Sequence, residues 1–415
     1  MEYGLIGEVL GHSFSKQIHQ QLADYDYECK PLSKDAFKIF MMKKDFKAIN
    51  VTIPYKQAVL PYLDEIDEEA KAIGAVNTIV NKQGRLIGHN SDYLGFIYLV
   101  NKHNIILKDK KVVVLGNGGA AQAIKASLTY FKAREVIYVK RHQSAETITY
   151  DELYAKHLNA QIIINTSPQG MYPNNEATVL NITLFPQCVG VIDIIYNPLK
   201  TSLVQSAEDQ GIQAVGGLEM LVAQGFYAAE FFLNRKLDAT RIDEIYHQTL
   251  KDKSNIVLIG MPSSGKTTIG RQLATLLNKK FVDSDEEIVK QINMSISDYF
   301  KQFGEASFRK IEKEVCSRLS KENNLIVATG GGIIKDKQNI FHLKQNGFII
   351  YLKRDTNQLL IDSSRPLSTD SEAIKTMAQE RHPIYVASAH AIIDNNGSIT
   401  DACKQIIQIY QKQQI

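Results

Sequence analysis

Twice in this chain a short run of apolar, β-branched residues breaks into a glycine cluster and then into a helix-like segment. Lys111–Leu115 (KVVVL) runs into GNGGA, and Asn255–Ile259 (NIVLI) into GMPSSGKTT. A strand that ends in glycines and restarts as a helix leaves the helix's first N–H groups open, a ready anion site. Weaker runs at Val136–Val139, Ile162–Asn165, Val189–Ile194, Leu325–Ala328 and Phe348–Leu352 alternate with longer amphipathic stretches. That alternation predicts βαβ units, parallel sheets and an α/β fold in both halves. Two phosphate loops of different kinds do not fit one sheet, and 415 residues are long enough for two or three domains. The polar stretch HQTLKDKSN, His247–Asn255, is the expected boundary.

Composition narrows the partners. Forty-eight Lys and Arg against 45 Asp and Glu leave a net charge of +3, which makes no electrostatic case for nucleic acid or a membrane surface. The longest apolar runs (VVVLG, FIIYL, IVLIG) are strand-sized, too short to span a bilayer. MEYGLIGEVLGHSFSK lacks the basic region and apolar run of a signal peptide. Four dispersed cysteines, with no Cys-x-x-Cys pair, suit reduced core thiols. The expectation is a cytoplasmic, globular, multidomain protein acting on small molecules.

In the second half, GMPSSGKT (Gly260–Thr267) matches G-x-x-x-x-G-K-[ST] between a strand and a helix. Such a loop, here Pro262–Thr268, cradles a nucleoside triphosphate: backbone N–H groups of Ser263, Ser264, Gly265 and on to Thr268 converge on phosphate oxygens, and Lys266 holds the β- and γ-phosphates. Thr267 is the expected Mg²⁺ ligand. VDSDEEI sets Asp283 and Asp285 two apart at the end of a second short strand, where alternate residues share a face. FGEASFRKIE (Phe303–Glu312), ATGGGII (Ala328–Ile334), SSRPLS (Ser363–Ser368) and QERHPIYVASA (Gln379–Ala389) follow. Arg309 and Arg381 carry planar forks suited to a carboxylate.

In this order the segments resemble shikimate kinase over essentially the whole half. The resemblance implies that Asp285 binds ring hydroxyls of shikimate and accepts a proton. It also implies that Arg309 and Arg381 clamp the carboxylate, that Gly331 contacts substrate, and that Asp283 supports Mg²⁺. Arg365, in the Arg-Pro-Leu of the family's lid, would reach over the ATP phosphates. Just before it, TNQLLIDSS is short and lacks the arginine common at the end of the preceding helix.

In the first half, Gly116, Asn117, Gly118, Gly119 and Ala120 form G-x-G-G-A, a variant of the dinucleotide fingerprint. The next strand, VIYV, ends in Lys140 and Arg141, where an NAD-binding fold usually carries an acid; a basic pair suits the 2′-phosphate of NADP(H). Around this unit stand GHSFSKQIH, NVTIPYK, GAVNTIV, GHNSDYLGF, YNPLKTSLV and GGLEMLVAQGFYAAEFF. Their hydroxyls (Ser13, Ser15, Thr52) and carboxamides (Asn50, Asn77, Gln224) suit a small polyhydroxylated substrate. A lysine and an aspartate beside a nicotinamide form an acid/base pair.

This set resembles shikimate dehydrogenase across residues 1–247, in the family's order. By that resemblance Lys56 and Asp92 are the catalytic pair, and Ser13, Ser15, Thr52, Asn77, Asp92, Tyr196 and Gln224 surround the substrate. Gly116–Ala120, Lys140, Arg141, Ile194 and Gly217 face the cofactor. Lys16 stands where the family usually has proline, and Lys-Arg-His at 140–142 where Asn-Arg-Thr/Ser is common. The implied domains are a substrate-binding domain at 1–108 completed by 218–247, a Rossmann-like domain at 109–217, a linker at 248–254 and a P-loop kinase domain at 255–415. The expected activity is NADPH-dependent reduction of 3-dehydroshikimate to shikimate, then MgATP-dependent phosphorylation of its 3-hydroxyl. The alternatives are an NAD-dependent quinate/shikimate dehydrogenase fused to a kinase, or a non-catalytic pathway-sensing regulator. A regulator is expected to lose catalytic groups, yet Lys56, Asp92, Lys266, Thr267 and Asp285 are all present.

Overall fold

A computed structural model of the chain describes residues 1–11, 13–359 and 371–412. Its contacts divide it into two units, Met1–Leu250 and Lys251–Ile415.

The first unit holds two sheets. One is mixed, with strands β1 (Tyr3–Gly7), β2 (Tyr27–Pro31), β3 (Ala48–Val51), β4 (Glu65–Ile66), β5 (Thr78–Lys82) and β6 (Arg85–His89) in the order β2-β1-β3-β5-β6-β4. β1 pairs in parallel with β2 and β3, while β5 runs antiparallel to β3 and β6. The other is wholly parallel: β7 (Lys111–Leu115), β8 (Glu135–Val139), β9 (Ile162–Asn165), β10 (Gly190–Asp193) and β11 (Gln213–Val215), ordered β11-β10-β9-β7-β8. Alternation along these strands feeds two cores. Val112, Val114, Ile162 and Ile164 pack with Phe96, Leu99 and Ile124, whereas Val113, Leu115, Ile163 and Val191 pack with Leu153 and Leu203. Burial on both faces is why these strands read as unbroken apolar runs.

Helix Leu218–Leu233 is apolar almost all round and lies inside the unit against helix Ser91–Lys102. Gly95 makes that approach possible: a Cβ there would stand 2.8 Å from the Met220 carbonyl oxygen.

The second unit has one parallel sheet. Its strands are β12 (Asn255–Ile259), β13 (Lys280–Asp283), β14 (Leu325–Ala328), β15 (Gly347–Lys353) and β16 (Ala391–Asp394), ordered β13-β14-β12-β15-β16. β12 is central, so its glycine loop opens at the middle of the sheet's carboxyl edge, where ligands bind in open α/β sheets. Among the described residues no helix is long and apolar enough to cross a membrane.

The division between the two units falls between Leu250 and Lys251, inside the segment expected as a linker at 248–254, and that segment is helical up to Lys253. Helix Thr240–Lys253 runs through it, burying Ile242, Ile245, Thr249 and Leu250, and β12 starts two residues later. Of the polar residues of HQTLKDKSN, Gln248 and Asp252 lie on the exposed face of this amphipathic helix, whereas Thr249, Ser254 and Asn255 are buried. The residues from Lys251 onward are tied down within the second unit. The Lys279 ammonium donates to the carbonyls of Lys251 (2.6 Å) and Ser254 (2.9 Å) and to Asn324 Oδ1 (2.9 Å). Tyr410 Oη lies 2.6 Å from Ser254 Oγ and donates to the Lys251 carbonyl at 3.2 Å. Burial lowers the pKa of Lys279 to about 8.

Gly347 opens β15 where a Cβ would collide with the Leu343 carbonyl oxygen and fall 2.8 Å from Val257 Cγ2. Backbone cannot yield as a side-chain tip can. Gly347→Ala is expected to destabilise the second unit by about 1–3 kcal/mol. Hydrogen exchange of the full chain checks this: amides of β12 and β15 should lose protection while those of β7 and β9 keep theirs.

Candidate active sites

Lys56 follows β3, and Asp92 is the second residue of helix Ser91–Lys102. The Lys56 ammonium meets Asp92 Oδ2 at 2.5 Å, with both side chains largely buried. Asn90 builds the turn that delivers Asp92. Its Oδ1 accepts the Tyr93 N–H at 3.2 Å as helix cap, and its Nδ2 donates to the Ala75 carbonyl at 2.8 Å. Asn77 joins three elements: Nδ2 donates to Gln224 Oε1 (3.2 Å) and Ser91 Oγ (3.1 Å), and Oδ1 accepts the Ser91 N–H (2.7 Å). Gln224 comes from the buried helix Leu218–Leu233, so three distant segments share one polar cluster.

Ser13 Oγ accepts the Ser15 N–H at 3.2 Å and donates to Ser15 Oγ at 3.1 Å, at the start of helix Ser15–Leu22. The ring of the intervening Phe14 lies 5.2 Å from that of Tyr196, whose hydroxyl is pushed up to about 12 by desolvation. Asn50 is spoken for. It accepts from Tyr27 Oη (2.8 Å) and donates to the Asn77 carbonyl (3.3 Å) and Thr78 Oγ1 (3.2 Å), buried in the sheet. Thr52 lies just beyond β3, its N–H on the Ile6 carbonyl at 2.9 Å.

A cleft of about 960 Å³ is lined by Lys56, Gly116–Ala120, Lys140 and Arg141 together, among others. Gly116 takes φ +105°, and a Cβ there would meet Thr166 Oγ1 at 2.8 Å. Gly119 begins helix Gly119–Tyr130; its missing side chain leaves room for Lys56, whose Cδ lies 3.3 Å from the ideal Cβ position. The glycine loop therefore supports the stem of Lys56. Ile194 and Gly217 do not line this cleft; they pack on each other so closely that a Gly217 Cβ would collide with the Ile194 carbonyl.

Sequence reasoning missed Tyr150, Thr166–Gln169 and Met171–Asn174, which do line the cleft. A signal was present: Thr-Ser-Pro follows β9, and strand exits on this edge carry ligands. That loop is held from below. Asn165 Oδ1 accepts Ser167 N–H (3.0 Å) and Oγ–H (2.7 Å), while Nδ2 donates to buried Asp193 (3.0 Å).

In the second unit, Gly265 at φ +92° hands the loop to helix Lys266–Leu277. The Lys266 ammonium donates to the loop's own carbonyls, Gly260 (2.9 Å) and Met261 (2.7 Å). Thr267 Oγ1 donates to Asp283 Oδ2 at 2.8 Å. Asp283 ends β13 and caps helix Ser284–Ile292, accepting the Asp285 N–H at 3.0 Å. Asp285 is thus in a helix's first turn, a correction to the two-apart strand reading; a helix cap brings the pair together instead of the pleat. A hydroxyl and a carboxylate are the hard oxygen donors Mg²⁺ prefers, with phosphate oxygens to complete its shell.

The glycine triplet after β14 gives its three side-chain spaces to three different groups. A Cβ on Gly330 would lie 2.5 Å from Asp285 Oδ1, on Gly331 2.8 Å from Pro262 Cδ, and on Gly332 2.6 Å from Arg309 Nη1. Phosphate loop, acid and arginine thus converge on one strand exit. Arg309 is engaged already, with Nη1 on Glu312 (2.8 and 2.9 Å) and Nη2 on Glu305 (2.9 Å). Burial raises the Glu312 carboxyl and Arg309 pulls it back. Arg381 is buried; Nη1 donates to the Gly331 carbonyl at 2.9 Å, and Nε has no acceptor among the described residues. Tyr385 Oη donates to the same carbonyl at 2.6 Å. Pro262, Ser263, Ser264 and Thr268 stand in or beside the loop; Arg365 lies outside the described residues.

A dinucleotide-type α/β fold with a Lys–Asp pair at its cleft, followed by a P-loop α/β fold with an acid–arginine pocket, defines a dehydrogenase joined to a kinase. A model of the shikimate dehydrogenase substrate binding domain matches residues 5–79, and the shikimate kinase family model matches residues 262–411. The shikimate dehydrogenase (NADP(+)) of Clostridium perfringens is 37% identical over 270 residues, 59% of this chain and 97% of that protein. Among solved structures, a chorismate mutase/shikimate 5-dehydrogenase fusion from Clostridium acetobutylicum matches with TM-score 0.56 and 36% identity, covering 60% of this chain and 96% of that one. The Thermus thermophilus shikimate 5-dehydrogenase in complex with NADP(H) and shikimate matches with TM-score 0.54 and 27% identity, covering 60% and 99%. The chain belongs to the shikimate dehydrogenase family through its first unit and carries a shikimate kinase domain in its second: it is a bifunctional fusion.

Behind the first site, His19 stacks on Tyr27 with ring centroids 4.0 Å apart, and its Nδ1 lies 2.7 Å from Tyr25 Oη. Burial lowers its pKa from 6.5 to about 3. The unfolded chain therefore binds a proton between these values that the folded one refuses, so stability falls as pH drops from 6.5 towards 3. His19→Gln, which cannot charge, is expected to shift the acid-unfolding midpoint of the first unit to lower pH, read by circular dichroism.

Proposed function

We propose that the first unit reduces 3-dehydroshikimate to shikimate with NADPH and that the second phosphorylates the 3-hydroxyl of shikimate with MgATP. The observation that carries the first half is the Lys56–Asp92 pair at the lip of the cleft formed by the glycine loop and Arg141. NADPH bound there supplies the hydride. Lys56 delivers a proton to the ring carbonyl oxygen as it becomes the alcohol, and Asp92 keeps the ammonium aimed. Ser13, Ser15, Thr52, Asn77, Tyr196 and Gln224 hold the substrate's hydroxyls and carboxylate. Gly116–Ala120 receive the pyrophosphate and Lys140 and Arg141 the 2′-phosphate; Ile194 and Gly217 act from behind, on the loop that faces the nicotinamide.

In the second unit, Asp285 orients the attacking hydroxyl and takes its proton, and Arg381 with Arg309 grips the carboxylate beside Gly331. Mg²⁺ held by Thr267 and Asp283 neutralises phosphate charge when bound. Lys266 leaves its loop carbonyls for the β- and γ-phosphate oxygens, with the N–H groups from Ser263 to Thr268 around them and Pro262 opening the loop. The product of the first reaction is the acceptor of the second.

The test is one cuvette: full-length protein with 3-dehydroshikimate, NADPH and MgATP, reading NADPH loss and ADP release together. Failure of either signal removes that half of the proposal. Lys56→Ala should lower dehydrogenase kcat by about 10²–10⁴-fold and leave phosphorylation of added shikimate unchanged. Lys266→Ala should do the reverse. Arg141→Ala should raise KM for NADPH far more than for NADH, eroding the preference by about 1.5–3 kcal/mol, as for a lost charged hydrogen bond. Equal changes for both cofactors, or a wild-type preference for NADH, would favour the NAD-dependent alternative.

A further inference from the structure

The proposed chemistry leaves one buried hydroxyl of the second unit without a task. Tyr385 and Arg381 stand one turn apart on helix Ser371–Ser388 and face the glycine triplet after β14. Arg381 Nη1 donates to the Gly331 carbonyl at 2.9 Å, and Tyr385 Oη donates to the same oxygen at 2.6 Å. Both lone pairs of that carbonyl are taken. Arg381 also hydrogen-bonds the Tyr385 hydroxyl itself, so guanidinium, phenol and carbonyl close a triangle. Burial raises the Tyr385 hydroxyl well above the ordinary tyrosine value, which keeps it a donor. Its ring is fully buried and stacked on Tyr351, with centroids 4.9 Å apart, and Tyr351 Oη lies 3.1 Å from His382 Nδ1. A phenylalanine would fill the same space, so packing alone does not call for the hydroxyl.

What the hydroxyl adds is orientation. Gly331 stands between Gly330, which makes way for Asp285, and Gly332, which makes way for Arg309. Arg309 and Arg381 both act on the Glu312 carboxyl, which sets the two guanidinium groups near each other. Like charges repel, and an arginine held by one carbonyl alone could swing away. With Nη1 committed to the carbonyl, Nε is buried and has no acceptor among the described residues, a donor left over for an anion from outside. From this geometry, resting on the kinase reading above, we infer that Tyr385 is a positioning residue for Arg381. Its hydroxyl keeps the guanidinium and the Gly331 carbonyl in register, so that the edge bearing Nε meets the carboxylate of the acceptor. The effect passes through the arginine and therefore follows the acceptor's negative charge. A mere prop would behave differently: a Cβ on Gly331 would lie 2.8 Å from Pro262 Cδ, so a general loosening of this strand exit would reach the phosphate loop as well.

The experiment uses the full chain and Tyr385→Phe, which keeps the ring and its stack on Tyr351. Kinase assays compare shikimate with its methyl ester, which lacks the charge, read as KM or as an inhibition constant, and calorimetry measures ADP. The KM for shikimate should rise about fivefold, as for one lost hydrogen bond, with kcat, the constant for the ester and ADP affinity each within about twofold of wild type. An unchanged KM for shikimate overturns the inference. Equal weakening of shikimate and ester, or a loss of ADP affinity, would make Tyr385 a prop of the strand exit and overturns it too. A wild-type protein that leaves shikimate unphosphorylated removes the acceptor reading and the inference with it, whereas an active wild type with an unaffected variant removes the inference alone.

Discussion

Steric exclusion at strand exits governs both sites. A parallel sheet brings every carboxyl end to one edge, and there the chain must turn into a helix while leaving space for a ligand. Glycine does this by withholding a side chain at places where another group needs the volume. Gly119 makes way for the stem of Lys56, Gly330 for Asp285 and Gly332 for Arg309. Each site is therefore assembled by contact between a glycine of one segment and a charged residue of another. An alanine at Gly330 would press on the Asp285 carboxylate itself.

Much of this was legible because both glycine loops carry their context with them. An apolar strand before and an amphipathic helix after leave few folds open, and the central strands β7, β9, β10, β12, β14 and β15 announce themselves by burial on both faces, whereas the exposed edge strands β11 and β16 do not. The expectation of a dehydrogenase joined to a kinase came from a resemblance carried by compact polar segments in order, among them those that hold Lys56, Asp92, Lys266 and Asp285. The matched families are shikimate dehydrogenase for the first unit and shikimate kinase for the second.

What stayed hidden has physical reasons. The mixed sheet β1–β6 was not read as strands because polar residues interrupt its members, such as Asn50 within β3 and Thr78 and Asn81 in β5. The partnership of Asn77 with Gln224 spans most of the first unit in sequence, and no local pattern encodes it. Asp283 and Asp285 were read with the pleat of a strand, but Asp283 stops the strand by capping a helix, which changes the periodicity between the two residues. Arg309 was read as a fork for a substrate carboxylate without its partners Glu305 and Glu312, which become its neighbours only once the helix has formed.

The tie between Lys279 and the helix end at Lys251 bears on how such a chain can be cut and spliced. The strand that carries the phosphate loop opens at Asn255, yet two of the acceptors that hold the Lys279 ammonium are carbonyls upstream of it. A gene truncated at that strand would make a domain with a desolvated ammonium robbed of its acceptors and a Tyr410 hydroxyl without its serine. The module that could be transplanted into another enzyme thus begins inside the preceding helix. In heredity as in cloning, the unit that moves intact is longer than the motif that names it.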